Sequence, residues 1–223
     1  MKITDRKSDI VNISAKLFKE KGYSAVTMRD IAQALEIKAA SLYNHIKSKQ
    51  EILELMVIGI AEEYTNAIQI IENSNETSIQ KIEKVIQLHI DITVRNPDAL
   101  ASLNNDWMHL PETDLKYFLQ MREEYEAVFR RIVKKGIADG EIKNGNPEVI
   151  IFSILSTIRT LYLWYGKKKE FTEVTMKAHL SSVLLNGIIW FIYVLRCTIY
   201  AIYARKSHLW SRKIISILTR IDL

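Results

Sequence analysis

The 223-residue sequence is 48% hydrophobic and 26% charged, with 7 glycines and 3 prolines, which excludes a disordered chain and favours an all-α protein with short connections. A chain of this length can bury one or two real cores. Its net charge of +5 is uneven, because residues 1–50 and 188–223 each carry +5 while residues 51–187 carry −5. Charge alone is better explained by a solvated surface, and a basic N-terminal segment favours nucleic-acid binding only together with an ordered motif.

The first predicted helix covers residues 5–21, with Ile10 and Phe18 on its apolar face and Gly22 at its end. Because it follows Met1 almost directly, we expect no signal peptide. Thr27 then caps a short helix, and a second short helix runs over residues 38–46 with Leu42 and Ile46 facing inward. The turn between them contains Glu36, and we expect a left-handed or adjusted backbone there, at some cost for a residue with a Cβ.

The remaining positions of the second short helix are small or can form hydrogen bonds. A helix lying in the DNA major groove needs small residues for close approach and polar residues for base edges and phosphates. Ser48 caps the next helix, whose first turn carries Lys49. The charge of Lys49 and the free backbone N–H groups beside it can both meet a phosphate. The candidate DNA-binding residues are Thr27, Arg29, Lys38, Ser41, Tyr43, Asn44, His45 and Lys49.

Residues 7–55 resemble the DNA-binding domain of the TetR family of bacterial transcriptional regulators. The matching features span about fifty residues in order, so the set is more specific than a lone helix-turn-helix. They are Ile10, Ala15, Leu17-Phe18, Gly22-Tyr23, Thr27-Met28-Arg29-Asp30-Ile31-Ala32 and the run from Ser41 to Leu53. Glu36, Ala39 and Ala40 depart from the family pattern, which has Gly in the turn and often a basic residue and Gly after it. These departures affect the expected operator more than the fold.

The rest of the chain predicts a larger helical body. Helices are expected over residues 49–73, 78–95, 97–103, 112–138 and 147–166, with a last one starting near Thr172. The cluster 73–77 is the clearest loop, and residues 104–111 are expected to form a loop or a frayed helix end. We divide the chain into a DNA-binding domain at 1–50, a ligand-binding and dimerisation domain at 51–189, and an atypical C-terminal tail at 190–223.

The resemblance implies that the body senses a ligand and forms a homodimer through the helices around 147–166 and 172–189, whose apolar faces are wide. These helices can instead be core within one chain. Pockets are mostly apolar with a few placed polar groups. The candidate ligand-binding residues are Trp107, Met108, Tyr117, Met121, Tyr125, Phe152, Ser156, Arg159 and Tyr162, and Trp164 is a further aromatic candidate.

Arg159 lies within an apolar helix, where an unpaired charge is costly. It either anchors a carboxylate or phosphate ligand, pairs with an acid such as Asp106 or Glu123, or extends its charged end to the surface. No spacing matches a metal signature, although His89 and His109 could be combined into one, and we expect no metal and no cofactor. The sequence contains no P-loop, dinucleotide fingerprint or nucleophile elbow, so we expect no enzyme. The single cysteine, Cys197, fits a reducing cytoplasm.

Residues 190–223 form an apolar, basic tail that the resemblance does not account for. The tail either extends the last helix, contacts a membrane, or is unselected sequence such as a frameshift product; Arg196 argues against a clean membrane span. The interpretation favoured here is a cytoplasmic, ligand-responsive regulator, by resemblance a repressor, that binds a palindromic operator as a homodimer and is released by a small apolar or amphipathic effector. The alternative is a membrane-associated interaction protein that keeps the fold without specific DNA binding.

Overall fold

The computed structural model describes residues 6–165 and 172–189, and all of their regular structure is helical. The helices, in chain order, are α1 (Arg6–Lys21), α2 (Met28–Ala34), α3 (Ala39–Tyr43), α4 (Lys49–Glu72), α5 (Ser78–Arg95), α6 (Pro97–Asn105), α7 (Glu112–Ala138), α8 (Pro147–Arg159), α9 (Leu161–Tyr165) and α10 (Glu173–Asn186). A short 3-10 turn, Trp107–His109, links α6 to α7. The all-α expectation is confirmed, whereas the predicted tail lies outside the described residues.

Helices α1–α3 and the first turns of α4 form a small domain, called the head here. Its core is made by side chains that the apolar spacing had placed inward, and Ile10, Ile31, Leu42 and Ile46 are all fully buried. The core closes on Ile52 at the start of α4, so the head is built across the boundary expected at residue 50. Burial of each such side chain contributes roughly 1.5–3 kcal/mol before entropy is counted.

The turn between α2 and α3 takes the left-handed conformation that the sequence predicts. Glu36 has a φ of 56°, and among the described residues it has the only positive φ that is not at a glycine. Its backbone N–H donates to the Gln33 carbonyl oxygen at 3.0 Å, which closes the end of α2. The third helix is shorter than expected, because regular helix ends at Tyr43 rather than at Ile46.

Helix α4 joins the head to a larger body formed by α5–α10 and the second half of α4. The body core is built from the facing surfaces of α4, α5 and α7, where Ile68, Ile86, Val128 and Phe129 are fully buried. Gly136 allows α7 to pack against the chain that follows it. A Cβ at this position would lie 2.6 Å from Ile142 Cδ1 and 2.8 Å from Ser78 Cβ, so a side chain here would collide.

The C-terminal part of the body differs from the expectation in two places. The predicted helix 147–166 breaks at Thr160 into α8 and α9, where the Thr160 hydroxyl bonds to the Ser156 carbonyl. The last helix ends at Asn186, after which the Lys143 N–H donates to the Ile188 carbonyl at 2.8 Å. Ile142 and Ile189 form an isolated antiparallel bridge there.

The stretch Pro147–Tyr165 is long and apolar enough to cross a membrane by length and composition alone, with a mean hydropathy of 1.2. Core helices of soluble proteins meet the same criterion. Here Ile154 and Ile158 are buried against the body, and the charged Glu148 and Arg159 are ion-paired to α7. About a third of the stretch is buried, so one face packs on the body while the other face, which carries Phe152, is exposed.

Candidate functional site

The outer surface of the head carries most of the candidate DNA-binding side chains. Leu42 and Ile46 hold α3 against the core, which turns the other positions of the helix and of the turn that follows it toward solvent. Ser41 is half-buried, and Tyr43 is 53% exposed despite its size. The exposed candidates on the head are Thr27, Arg29, Lys38, Tyr43, Asn44 and His45.

Thr27 uses its hydroxyl to build α2. The hydroxyl donates to Asp30 Oδ2 at 2.6 Å and accepts from the Asp30 N–H at 3.2 Å, while Asp30 also accepts from the Thr27 N–H. This reciprocal capping box satisfies donors at the helix start. The hydrogen bonds from Thr27 hold the pKa of the Asp30 carboxyl below its usual range. The hydroxyl donor that a phosphate would accept is therefore occupied in the unbound protein.

The structure corrects the role expected of Lys49. Its ammonium donates to the carbonyl oxygens of Tyr23 at 2.8 Å, Val26 at 2.7 Å and Ser24 at 3.4 Å, and it lies 4.3 Å from the centre of the Tyr23 ring. These bonds match the three donors of an ammonium group. Burial lowers the pKa of Lys49. Lys49 is thus a positioning residue that ties α4 to the loop before α2, and not a free phosphate clamp.

A cavity of about 160 Å³, called the central cavity here, lies inside the body between α4, α5, α6, α7 and α8. Its wall is mostly apolar and aromatic, with polar groups contributed by several helices. The described residues that form its wall are Ala61, Tyr64, Thr65, His89, Leu100, Leu103, Asn104, Trp107, Phe118, Met121, Arg122, Tyr125, Ile158 and Arg159.

The structure brings four of the sequence candidates together in the central cavity: Trp107, Met121, Tyr125 and Arg159. The others are corrected. Those that lie outside the cavity are Met108, Tyr117, Phe152, Ser156, Tyr162 and Trp164. Phe152 and Ser156 fall on the outward face of α8, since Ile151, Ile154 and Ile158 take the inward one. Met108 and Tyr117 are exposed, and Tyr162 is buried where Asn105 donates to its hydroxyl at 3.4 Å.

His89, weighed above as a metal ligand, is instead a buried, hydrogen-bonded histidine at the cavity wall. His89 Nε2 lies 2.9 Å from the Tyr125 hydroxyl oxygen, and the His89 ring stacks on Tyr64 at 4.3 Å between ring centres. Burial, and secondarily the charge of Arg159, lowers the pKa of His89 to about 3, so the imidazole is neutral. Burial raises the pKa of the Tyr125 hydroxyl. The only sequence signal was a histidine on the apolar face of α5, which is equally typical of a core residue.

Arg159 is paired, but with an acid other than those considered. Its Nη2 donates to Glu126 Oε1 at 2.8 Å, rather than to Asp106 or Glu123. Arg122, one turn earlier on α7, places its Nε 3.8 Å from the same Glu126 oxygen. His89 and His109 do not form a shared site, because His109 stacks on Tyr23 at 5.1 Å. Among the described residues, no cluster of three or more potential metal ligands occurs.

The central cavity and the head share part of their structure. Phe118 and Met121 line the cavity and are also buried members of the head's core cluster, against which Trp107 packs. Two residues after Trp107, His109 stacks on Tyr23, whose carbonyl accepts a bond from Lys49. A second link lies between α1 and α6, where Lys19 Nζ is 2.7 Å from Asp98 Oδ1. Movement of these wall residues would therefore directly alter the packing of the head.

Comparison with known proteins decides the family. Residues 10–56 match the family described as bacterial regulatory proteins, tetR family. Residues 75–188, half of the chain, match the tetracyclin repressor-like C-terminal domain. The chain belongs to the TetR family. It is thus a DNA-binding transcriptional regulator, as the resemblance implied, and regulators of this family are soluble proteins that bind operators and small molecules, usually as dimers.

Relatives of this TetR-family chain include named repressors. It is 24% identical over 185 residues to the HTH-type transcriptional repressor KstR2 of Rhodococcus jostii, covering 82% of this chain and 91% of that one. It is 34% identical over 100 residues to IcaR of Staphylococcus aureus, a negative transcriptional regulator of the icaADBC biofilm operon, over 44% and 54% of the two chains. Both relatives are named as repressors, and the alternative of a membrane-associated interaction protein gains no support.

Solved structures share the fold. The ketosteroid transcriptional regulator KstR2 of Mycobacterium tuberculosis superposes with a TM-score of 0.78 at 18% identity, over 84% of this chain and 97% of that one. AibR, solved with isovaleryl coenzyme A and operator DNA, gives a TM-score of 0.68 at 17% identity, over 81% and 98% of the two chains. At these identities the likeness establishes the TetR-family architecture and leaves the ligand and operator of this chain open.

Proposed function

We propose that the protein binds a palindromic operator as a homodimer through α3 and the residues flanking it, and that a small apolar or amphipathic effector in the central cavity releases it. One observation carries the DNA side of this proposal. Helix α3 is fixed to the head by the fully buried Leu42 and Ile46, while Asn44 and His45 beside it are exposed. A buried anchor with an exposed polar face is what major-groove docking requires.

The exposed residues divide into two roles. Lys38, Ser41 and Asn44 are the proposed base-edge contacts, because they lie on or next to α3 and carry donors. Arg29, Tyr43 and His45 are proposed for the phosphate backbone. Thr27 and Lys49 support the interface through the capping box and the carbonyl contacts described above, and the backbone N–H groups at the start of α4 remain candidates for a phosphate.

The proposed dimer forms through the helices around 147–166 and 172–189, because both expose large apolar side chains. Val149 and Phe152 on α8 are 60% and 71% exposed, and Val183 on α10 is 70% exposed. Leu163 and Trp164 on α9 are also exposed. Exposed apolar patches of this kind mark protein interfaces, and a two-fold axis would pair each patch with its copy.

Release is proposed to act through the parts that the cavity and the head share. An effector that displaces Phe118 or Trp107 would disturb the packing of the head and the stack of His109 on Tyr23. The effector shifts the population of DNA-binding states only if it binds the two states unequally. A regulator acting on the chromosome also places this protein in the cytoplasm.

The proposal is tested by titrating salt against binding to genomic DNA fragments. We expect a fragment containing a palindrome to be retained near physiological salt, because base contacts add to the salt-sensitive phosphate contacts. Uniform, weak binding to every fragment would contradict specific operator recognition.

Two variants refine this test. Arg29→Ala should weaken retention of every fragment and lower the salt slope by about one, since an exposed cation proposed to contact a phosphate is removed. Lys49→Ala should lower the melting temperature of the protein while leaving the salt slope of the folded fraction nearly unchanged, because its ammonium is held by three carbonyls. An equal change in the salt slope of DNA binding in both variants would show that Lys49 contacts a phosphate.

A further inference from the structure

We propose that the effector is a small organic acid whose carboxylate is bound by Arg159 and Arg122 while its hydrocarbon part fills the central cavity. This inference rests on the proposed function and names the chemical class of the effector.

The wall of the central cavity is unbalanced in charge. Arg122 and Arg159 both line it, and none of its described lining residues is a carboxylate. Glu126 stands outside the wall and approaches both guanidinium groups with the same oxygen, at 2.8 Å from Arg159 Nη2 and 3.8 Å from Arg122 Nε. One carboxylate therefore contacts two cations, and these three groups together carry one net positive charge.

The guanidinium groups keep donors for a ligand. A guanidinium has five N–H donors in a planar fork that fits a carboxylate, and the bond to Glu126 uses one of those of Arg159. Both side chains line the cavity and neither is fully buried, so a ligand in the cavity can contact them. A ligand carboxylate would provide the second anion that this pair of cations lacks.

The interior of the cavity disfavours a cationic ligand. His89 is buried and neutral, and the positive charge of Arg159 acts on it in the same direction as burial. An ammonium ligand would meet the positive field of Arg159 without a carboxylate on the wall to balance it. The positive charge of Arg159 also acts on the Tyr125 hydroxyl, so the field reaches across the cavity.

The apolar part of the wall limits the size of the acid. Leu100, Leu103, Trp107, Phe118 and Ile158 supply hydrocarbon and aromatic surface. The volume of about 160 Å³ lies below the ~300–1,000 Å³ of sites for drug-sized ligands. A medium-chain or single-ring acid matches this space, whereas the nucleotide part of a coenzyme A thioester would have to lie outside it.

The test compares octanoate with octanamide on the full-length protein, by calorimetric titration and thermal shift. Octanoate should bind and raise the melting temperature, and octanamide, which has the same chain without the charge, should bind at least tenfold more weakly. Arg159→Gln should weaken octanoate binding by about tenfold or more, and Arg159→Lys should restore part of it. Arg130→Gln is the matched control, since it breaks the exposed ion pair between Arg130 of α7 and Glu148 of α8, and neither residue lines the cavity.

The decisive variant is Glu126→Gln. If the cluster binds a ligand carboxylate, removing the internal acid frees both guanidinium groups, so octanoate should bind several-fold more tightly. If the cluster is only a structural ion pair, Glu126→Gln and Arg159→Gln should change octanoate binding and stability in the same direction. That result would overturn the proposal, as would equal binding of octanoate and octanamide.

Two further arms separate this proposal from others. Binding of octanoyl coenzyme A without binding of octanoate would assign a thioester ligand and overturn the free-acid proposal. Retention of the palindromic DNA fragment is measured on each variant without any acid. A protein that binds the fragment but not octanoate contradicts only the effector class, whereas one that binds octanoate but no fragment contradicts the proposed operator binding.

Discussion

Glu36 carries backbone strain in the turn that orients α3. Its φ of 56° brings Cβ close to the following carbonyl oxygen, at a cost of roughly 1–2 kcal/mol that glycine avoids. We predict that Glu36→Gly stabilises the protein by about 1 kcal/mol, part of the relief being offset by the larger chain entropy of glycine when unfolded. For a chain of this size the melting temperature should rise by roughly 2–4 °C, measured by calorimetry.

Glu36→Ala is the control for this prediction, because it removes the carboxylate but keeps the Cβ and therefore the strain. Its melting temperature should stay near that of the wild type. A gain in Glu36→Ala equal to that in Glu36→Gly would show that the charge, and not the backbone, limits stability at this position.

His89 gives the folded protein a pH dependence of known sign. Its pKa is about 3 in the folded chain, lowered by burial and by Arg159, against an ordinary 6.5, while Tyr64 and Tyr125 face it uncharged. Below pH 6.5, His89 therefore binds a proton in the unfolded chain and stays neutral in the folded chain. The free energy of unfolding should fall by about 2 kcal/mol from this group between pH 7 and pH 5.

The measurement is denaturant unfolding at a series of pH values, on the wild type and on His89→Gln. Glutamine keeps a hydrogen-bonding group near Tyr125 but does not titrate. The loss of stability between pH 7 and pH 5 should be smaller in His89→Gln than in the wild type. Identical pH profiles would mean that His89 is protonated in the folded protein.

For single residues, the sequence predicts the roles that depend on near neighbours in the chain. It does not predict contacts with residues far away in the chain. The Thr27 cap follows from neighbours within a few positions, and the left-handed Glu36 follows from the glycine that the TetR family carries in this turn. Both expectations are confirmed. Lys49 finds its carbonyl partners 23 to 26 residues earlier in the chain, and Arg159 finds Glu126 33 residues earlier. Nothing in their own surroundings in the sequence identifies those partners.

At the scale of the helices, α7 packs closely against Ser78 and Ile142 because residue 136 is a glycine. We predict that Gly136→Ala lowers the free energy of unfolding by about 1–3 kcal/mol, because its Cβ would lie 2.6 Å from Ile142 Cδ1 and overpack the core. Gly59 on α4 is the matched control. It is exposed and a Cβ there meets nothing within 4 Å, so Gly59→Ala should stabilise by ~0.5–1 kcal/mol.

Denaturant unfolding of the two variants checks this contrast. Opposite signs would confirm that the glycine in α7 is required by packing and the glycine in α4 is not. A stabilising Gly136→Ala would show that α7 and Ile142 can separate without cost, and that the body is less tightly packed there than the distances indicate.

Helix boundaries were predictable where capping residues mark them. Thr77 and Gln80 form a capping box at the start of α5, and Pro97 begins α6. The break at Thr160 was not predictable, because the apolar pattern continues from α8 into α9 without a glycine or proline. The 3-10 turn Trp107–His109 was expected only as irregular chain, and its contacts with the head depend on how α6 and α7 pack.

At the scale of the whole molecule, the proposed dimer makes a sharp prediction. Phe152→Glu should yield a monomer, because a charge would be placed in the apolar contact between two copies, while the fold of each chain is kept since Phe152 is 71% exposed. Ile70→Glu on α4 is the control. Ile70 is 74% exposed and lies outside the proposed interface, so this variant should remain a dimer.

Sedimentation or light scattering of both variants gives the answer directly. A dimeric Phe152→Glu with the same mass as the wild type would exclude α8 from the interface. A monomeric wild type would contradict the dimer itself and would leave the exposed apolar side chains of α8, α9 and α10 unexplained.

The fold of the head was predictable because about fifty consecutive residues carry its pattern. The central cavity was not, since its wall combines single residues from α4 to α8 whose approach depends on packing. Aromatic character alone does not distinguish Phe152 and Tyr117, which face solvent, from Tyr125, which faces the cavity. His89 was named only as half of a weak metal site, and its place on the cavity wall was not predicted for the same reason.

Phe118 and Met121 belong both to the cavity and to the core of the head. Because these two residues lie in both places, they are poor positions for changing the ligand specificity of the protein in a biosensor. Changing either residue to admit a new inducer would loosen the repressing state at the same time and raise background expression. Engineering of specificity should therefore start at Thr65, Asn104 and Ile158, which line the cavity without entering the core of the head.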